Sequence, residues 1–249
     1  MQTERHLAWE GCVNVRDLGG HSTADGGTTR FGAIVRADTV HRLTDAGWRD
    51  LIGHGVTRIV DLRFNEEREA DPPAELPVEV THVSLFGDGL DEHYAAQLDA
   101  LAAAAPTPAD ATKVVYLDFV ERYASRFPAV FSAIAHAPEG AVLVHCHGGK
   151  DRTGLVVAML LTLAGVPRDE VVADYAISEQ NLAEIHARWQ DEAESEEERA
   201  RRARISGCPP EAMRGVLDEI ERRYGGVREY LLAAGAADDE LDRAVARLL

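Results

Sequence analysis

Residues 142–161 read "VLVHCHGGKDRTGLVVAMLL". An apolar run closes on His145-Cys146-His147, two glycines follow, then Lys150-Asp151-Arg152, then a second apolar run. "AVLVH" (141–145) has the continuous apolar character of a strand covered on both faces. "RTGLVVAMLLTLAG" is apolar nearly all round, which predicts a buried helix. Strand, short loop, buried helix is an α/β unit, and it sets the expectation for the whole chain.

Outward from this unit the pattern continues. Strands are predicted at "GAIVRA" (32–37), "VTRIVDLR" (56–63) and "EVTHVSLFGDG" (79–89), the last running into a Gly-Asp-Gly loop. "VNVRDLGG" (13–20) reads as a short extended piece ending in a Gly-Gly turn. Helical spacing marks "LTDAGWRDLIGHG", and further helices are expected over 91–105, 111–125 and 128–137. The alternation through 30–166 predicts one central, mostly parallel sheet flanked by helices. Residues 168–249 are expected to be entirely helical, within a single domain spanning 1–249. There "DEAESEEE" (191–198) precedes "RARRAR" (199–204), so Glu197–Arg201 and Glu198–Arg202 are spaced for i, i+4 pairs. This solvated segment has little apolar surface, is expected to project from the body, and is a candidate lid.

The chain has 249 residues, with 26 Lys+Arg against 43 Asp+Glu for a net charge of −17. Such a surface disfavours nucleic acid and anionic membranes, so an anionic substrate needs a locally positive pocket. The three cysteines, Cys12, Cys146 and Cys208, are widely spaced and give neither a disulfide framework nor a metal-ligand pair. The N-terminus lacks the pattern of a signal peptide. The longest apolar stretch, Leu155 to Val166, is too short to span a bilayer. A cytoplasmic protein with no stable membrane insertion and no metal is the expectation; oligomeric state is left open.

The loop after the strand supplies the chemistry. Backbone N–H groups at a helix N-terminus form an anion site, and Gly148 and Gly149 let the chain approach a ligand closely. Arg152 matches two phosphate oxygens with its planar fork, and Lys150 adds a second positive charge. His147 contributes its backbone N–H. The same N–H groups and Arg152 stabilise a thiolate at Cys146, which can attack phosphorus and form a phosphocysteine. Thr153 can hydrogen-bond the sulfur. A Walker loop is excluded because Asp151 follows Lys150 and no glycine lies five residues before Gly149; a dinucleotide fingerprint is absent. A proton donor for the leaving group is expected at Asp151 or, in the loop after the third predicted strand, at Asp88. Asp118 reads as a solvent-facing helix residue, Asp61 and Arg63 as an ion pair, and Arg16 and Asp17 as braces of the loop region.

Cys146-x5-Arg152 is the signature of cysteine-dependent phosphatases. "HCHGGKDRTG", with Gly154 at its end, resembles more particularly the H-C-x-x-G-K-D-R-T-G loop of bacterial tyrosine phosphatases of the mycobacterial PtpB type and the related atypical dual-specificity and lipid phosphatases. "NVRDLGG" resembles that family's N-F-R-D-L-G-G, with Val15 replacing the aromatic. "RADTVHRLTDAG" (36–47), "IVDLRFNEE" (59–67) and "GGVREYLL" (225–232) resemble its other recurring segments. The resemblance implies a tyrosine-phosphatase-like α/β fold, no cofactor, and a phosphorylated protein or phosphoinositide as substrate. It also implies a role for Lys150 in taking multiply phosphorylated headgroups and for Asp151 as the acid. A phospho-binding module without turnover is the competing reading; such modules usually lack the Cys or the Arg.

Overall fold

The computed structural model describes residues 4–70 and 78–249. A five-stranded sheet runs in the order β1 (Arg16–Asp17), β2 (Ile34–Ala37), β5 (Ala141–His145), β3 (Val56–Asp61), β4 (Glu79–His82). β2, β5, β3 and β4 are parallel, and β1 joins β2 antiparallel. Ala37 and Asp61 both pair with His145, so three strands end abreast. Asp38, Leu62 and Cys146 therefore leave the sheet at one carboxyl edge, where ligands bind in open α/β sheets.

Successive side chains of a strand face opposite sides, and β5 shows the consequence. Val142 and Val144 enter a large core with Ile34 and Val60, whereas Ala141 and Leu143 enter a smaller one with Val35 and Ile59. The large core is closed by α3 (Glu92–Ala104), α4 (Pro108–Arg122), α5 (Phe127–Ala135), α6 (Asp151–Leu163) and α7 (Arg168–Asn181). Ten consecutive residues of α6, Arg152–Leu161, are buried, as its all-round apolar sequence predicts. The smaller core is covered by α1 (Asp45–Gly53), whose N-cap Thr44 accepts from the Gly47 N–H.

The helical region continues through α8 (Ala183–Asp191), α9 (Glu196–Ser206), α10 (Pro210–Tyr224), α11 (Val227–Ala233) and α12 (Asp238–Leu248). Val216, Leu217, Ile220, Leu231, Leu241 and Leu248 lie in the same core as the sheet residues. The acidic-then-basic segment does not project, contrary to expectation. α9 folds back over the body: Arg201 pairs with Asp99 at 3.1 Å, and Arg204 donates to the carbonyls of Ala102 and Ala105. The expected Glu198–Arg202 pair forms at 2.6 Å, but Arg201 prefers the partner on α3 to Glu197. The short helix α2 (Asn65–Ala70) has no apolar periodicity to announce it. β4 ends at His82, short of the predicted run to 89.

Candidate active site

Cys146 follows β5 directly and is 2 % exposed, at the floor of a cavity of about 1300 Å³. The loop from Cys146 to Arg152 is fixed from outside. The Thr39 N–H donates to the His147 carbonyl at 2.9 Å, Asn14 Nδ2 to the Gly148 carbonyl at 2.9 Å, and Arg36 Nη2 to the Gly149 carbonyl at 2.7 Å. In a planar trans peptide the following N–H points opposite to the carbonyl. Holding three successive carbonyls outward thus turns the N–H groups of Gly148, Gly149 and Lys150 inward. Gly149 is required here: its φ is +64°, and a Cβ would stand 2.4 Å from the Ala37 carbonyl oxygen.

The outer clamp is itself anchored by charge. Asp174, on α7 and 1 % exposed, takes Arg36 Nη1 at 2.6 Å and Arg16 Nε at 2.9 Å; Arg16 also donates to Asn14 Oδ1 at 2.7 Å. Burial opposes the Asp174 carboxylate, yet the two guanidiniums outweigh it and hold its pKa far below the ordinary carboxylate range. Asp17 accepts from the N–H groups of Gly19 and Gly32 and faces His54 Nε2 at 2.8 Å. The "NVRDLGG" segment is thus the foundation of the loop.

Inside the cavity Arg152 stacks over Phe64, its Cζ 4.4 Å from the ring centroid. Both terminal nitrogens meet the Glu67 carboxylate, Nη2 at 2.9 Å, which also accepts from the Phe64 N–H at 2.7 Å. Burial opposes its charge, but Cys146 and Glu67 hold Arg152 more firmly protonated than usual. End-on pairing with Glu67 leaves the Nε edge of the guanidinium for a ligand. Sequence reasoning gave Glu67 no role; its only signal is an acid shortly after the strand-end "DLR".

Lys150 is 6 % exposed, and its Nζ donates to the Ile205 carbonyl of α9 at 2.7 Å, with Asp151 Oδ1 at 3.5 Å. It ties the loop to the covering helix rather than standing free. Asp151 opens α6 and lines the cavity, accepting from the Tyr116 hydroxyl at 2.6 Å; that oxygen lies 2.9 Å from the Tyr175 hydroxyl. Burial works against the Asp151 carboxylate, but Lys150, Tyr116 and Arg152 together lower its pKa. Asp88 stands outside the cavity lining. It is exposed, accepts from Asn65 Nδ2 at 2.5 Å, and its carbonyl receives the Glu66 N–H at 3.5 Å, so it serves the start of α2. Asp118 is not solvent-facing alone: it accepts from the Tyr94 hydroxyl and pairs with Arg122 at 3.5 Å.

His145 is 1 % exposed, with Nδ1 3.0 Å from the Cys146 carbonyl and Nε2 without a hydrogen-bond partner. Burial pushes its pKa down to about 4 despite Asp61 nearby. A carbonyl only accepts, so Nδ1 carries the proton at neutral pH and Nε2 is a bare lone pair. The expected Asp61–Arg63 ion pair is present at 3.0 Å. His147 is more exposed, with Arg42 Nη2 at 3.3 Å from its Nε2. Thr153 is fully buried, and its hydroxyl is unpaired. Gly154 packs against the Tyr175 ring, where a Cβ would meet it at 3.1 Å. Among the described residues the one group with metal-ligand proximity is His41, Asp61 and His145. Arg63 already bonds to both Asp61 and His41 there, a poor setting for a divalent cation. All three cysteines are free; Cys12 and Cys146 lie in separate core clusters, and Cys12 donates to the Thr39 carbonyl.

α8 and α9 roof the cavity with Ile185, Trp189 and Ile205, and no described helix is long and apolar enough to cross a membrane. A thiol, a converging set of N–H groups and an oriented guanidinium together have the arrangement of an oxyanion cradle with a thiol at its base. Comparison with known proteins agrees. The chain is 33 % identical to a tyrosine-protein phosphatase of Nostoc commune over 87 % of its own length and 74 % of the relative's. It is 28 % identical to the triple specificity protein phosphatase PtpB of Mycobacterium tuberculosis, covering 94 % of this chain and 95 % of that one. A family model described as tyrosine phosphatase family matches residues 7–249, and with the loop geometry above it the chain belongs to the tyrosine phosphatase family.

Proposed function

We propose that this protein-tyrosine phosphatase hydrolyses phosphotyrosine, and phosphoserine or phosphothreonine as well, through a phosphocysteine at Cys146. The observation that carries this reading is the outward pinning of the 147, 148 and 149 carbonyls, which turns the backbone donors of the loop toward the thiol. The Cys146 thiolate attacks phosphorus, the bond from phosphorus to the ester oxygen breaks, and the leaving oxygen takes a proton from Asp151. Asp151, now a carboxylate, removes a proton from water; the hydroxide attacks phosphorus, the P–S bond breaks, and phosphate leaves with the thiolate restored. Arg152 and the N–H groups of His147, Gly148, Gly149 and Lys150 hold the equatorial oxygens. Thr153, buried and unpaired, supplies its hydroxyl to the departing sulfur, and Gly154 lets α6 begin close against Tyr175. Asp88 has no part in this scheme, because it lies outside the cavity. Residues 1–249 act as one unit, with α8 and α9 as the cover.

Acid quenching during turnover of p-nitrophenyl phosphate, followed by peptide mass analysis, is expected to show one phosphoryl group on the Cys146 peptide. Its presence on another residue, or on none while hydrolysis proceeds, would remove this mechanism. Proton delivery has its own test. Tyr116 donates to the Asp151 carboxylate, so Tyr116→Phe withdraws stabilisation from the ionised form and raises its pKa. The acid must be protonated to act, so activity falls as pH rises through that pKa. Tyr116→Phe is therefore expected to move the descending limb of the kcat–pH profile to higher pH. An unmoved limb would place the acid elsewhere.

A further inference from the structure

The cradle occupies one end of a cavity far larger than a phosphate needs. At about 1300 Å³ it exceeds the roughly 300–1,000 Å³ that holds a whole drug-sized ligand. Above the cradle apolar side chains line much of its wall: Phe64, Leu98, Val115, Ile185, Trp189 and Ile205 come from α3, α4, α8, α9 and the β3–α2 junction. Trp189 is pinned in that wall, with the Arg202 guanidinium 5.1 Å from its ring centroid and an Arg202 nitrogen bonded to its carbonyl.

Charge decides what fills this space. The lining acids are Asp38, Glu67, Asp99, Asp151, Glu184 and Glu192. Against these six stand five cations: Arg42, Lys150, Arg152, Arg188 and Arg201. Arg152 is engaged by Glu67 and Arg201 by Asp99, while Lys150, held by the Ile205 carbonyl, and Asp151 both belong to the cradle itself. With these pairs set aside, Arg42 and Arg188 face Asp38, Glu184 and Glu192. Beyond the cradle the cavity therefore holds no surplus positive charge, and the chain's net charge is −17. A second phosphate on the substrate would gain no net attraction from this lining, where three acids offset Arg42 and Arg188.

We infer that among its substrates the cavity favours one with a single phosphate whose leaving group carries an apolar body larger than one tyrosine ring. Multiply phosphorylated inositol headgroups and phosphotyrosine with acidic neighbours are disfavoured. This inference rests on the phosphatase reading and names its substrate class. The phosphate seats on the loop, the first ring passes Phe64, and the remaining apolar bulk is buried against Leu98 and Trp189. The apolar body can be a free aryl group or the side chains beside a phosphotyrosine; both present the same chemistry to the wall.

The test compares kcat/KM of the full chain for phenyl phosphate and 4-biphenylyl phosphate, whose phenols leave with similar ease. Two phosphotyrosine peptides, with Leu-Phe or Glu-Glu neighbours, and a soluble short-chain phosphatidylinositol trisphosphate complete the panel. The biphenylyl ester is expected to exceed the phenyl ester by at least about tenfold, the range an apolar pocket gives for added apolar bulk. Trp189→Ser and Leu98→Asn should each collapse that ratio toward one. A matching advantage for the Leu-Phe peptide assigns the apolar body to neighbouring residues; an advantage confined to free esters assigns it to a small aryl phosphate. Equal rates for the two esters, or the inositol trisphosphate as best substrate, would overturn the inference while leaving the phosphatase reading intact. Failure to hydrolyse any ester, phenyl phosphate included, would overturn both.

Discussion

Cys146→Ser is expected to lower turnover of p-nitrophenyl phosphate by at least about four orders of magnitude, the scale seen when a covalent hydrolase loses its nucleophile. The substitution keeps size and burial, so the fold has little reason to respond: Cys146 is a small, nearly inaccessible group at the strand end. What changes is the ease of ionisation. A thiol yields an anion that the inward N–H groups and Arg152 can stabilise; a serine hydroxyl needs a strong base beside it to become nucleophilic. Among the described residues no such base is bonded to the Cys146 side chain. The His145 imidazole bonds to the Cys146 carbonyl, not to its side chain. The variant should still bind phosphate or vanadate, because the loop carbonyls remain pinned by Thr39, Asn14 and Arg36. Turnover is read by release of nitrophenolate and binding by calorimetry. A serine variant that retained a tenth of the activity would mean that another group attacks phosphorus.

The candidate site was legible because its determinants are local. Continuous apolar residues before Cys146 and after Thr153 specify strand and helix, and the loop between them carries the proposed nucleophile and phosphate fork within seven positions. The parts that hold this loop are not local. Asn14 and Arg36 reach it across the sheet, Asp174 from a helix whose own pattern is unremarkable, and Tyr116 from α4. A buried charge inside a helix looks like any solvated one until its partners are placed, and Asp174 sits among ordinary helix formers in "RDEVVADYAIS". Glu67 was hidden for another reason: "NEEREA" has no apolar stripe, so neither α2 nor the direction of its acids was readable. The segment 191–206 misled through composition. Its polarity suggested projection, but Arg201 and Arg204 spend their charge on α3 side chains and carbonyls that only the folded chain presents.

Asp174→Ala is expected to destabilise the fold by about 3–5 kcal/mol, the cost of leaving buried charge without its partner. Arg16 and Arg36 are 2 % and 0 % exposed, so neither can recover solvation by turning outward. For a chain of this size each kcal/mol shifts the midpoint by about 2–4 °C, so thermal unfolding should begin markedly earlier. The acid limb carries the signature of the carboxylate itself. Its folded pKa lies below the unfolded value, so the unfolded chain binds the proton more readily. Wild-type stability from this group is complete above the unfolded carboxylate pKa and is lost as pH falls through the folded one; the variant has none to lose. Urea midpoints measured across that acidic window should therefore fall less steeply with acidification in Asp174→Ala than in the wild type. Asp174→Asn keeps a hydrogen-bond acceptor for Arg16 or Arg36 but no charge, and should lie between the two in stability. In both variants Arg36 loses its charged partner, so it holds the Gly149 carbonyl less firmly and affinity for vanadate drops together with stability, more in Asp174→Ala than in Asp174→Asn. If Asp174→Ala matched the wild type in midpoint, acid slope and vanadate affinity, the buried ion cluster would not be what holds the loop.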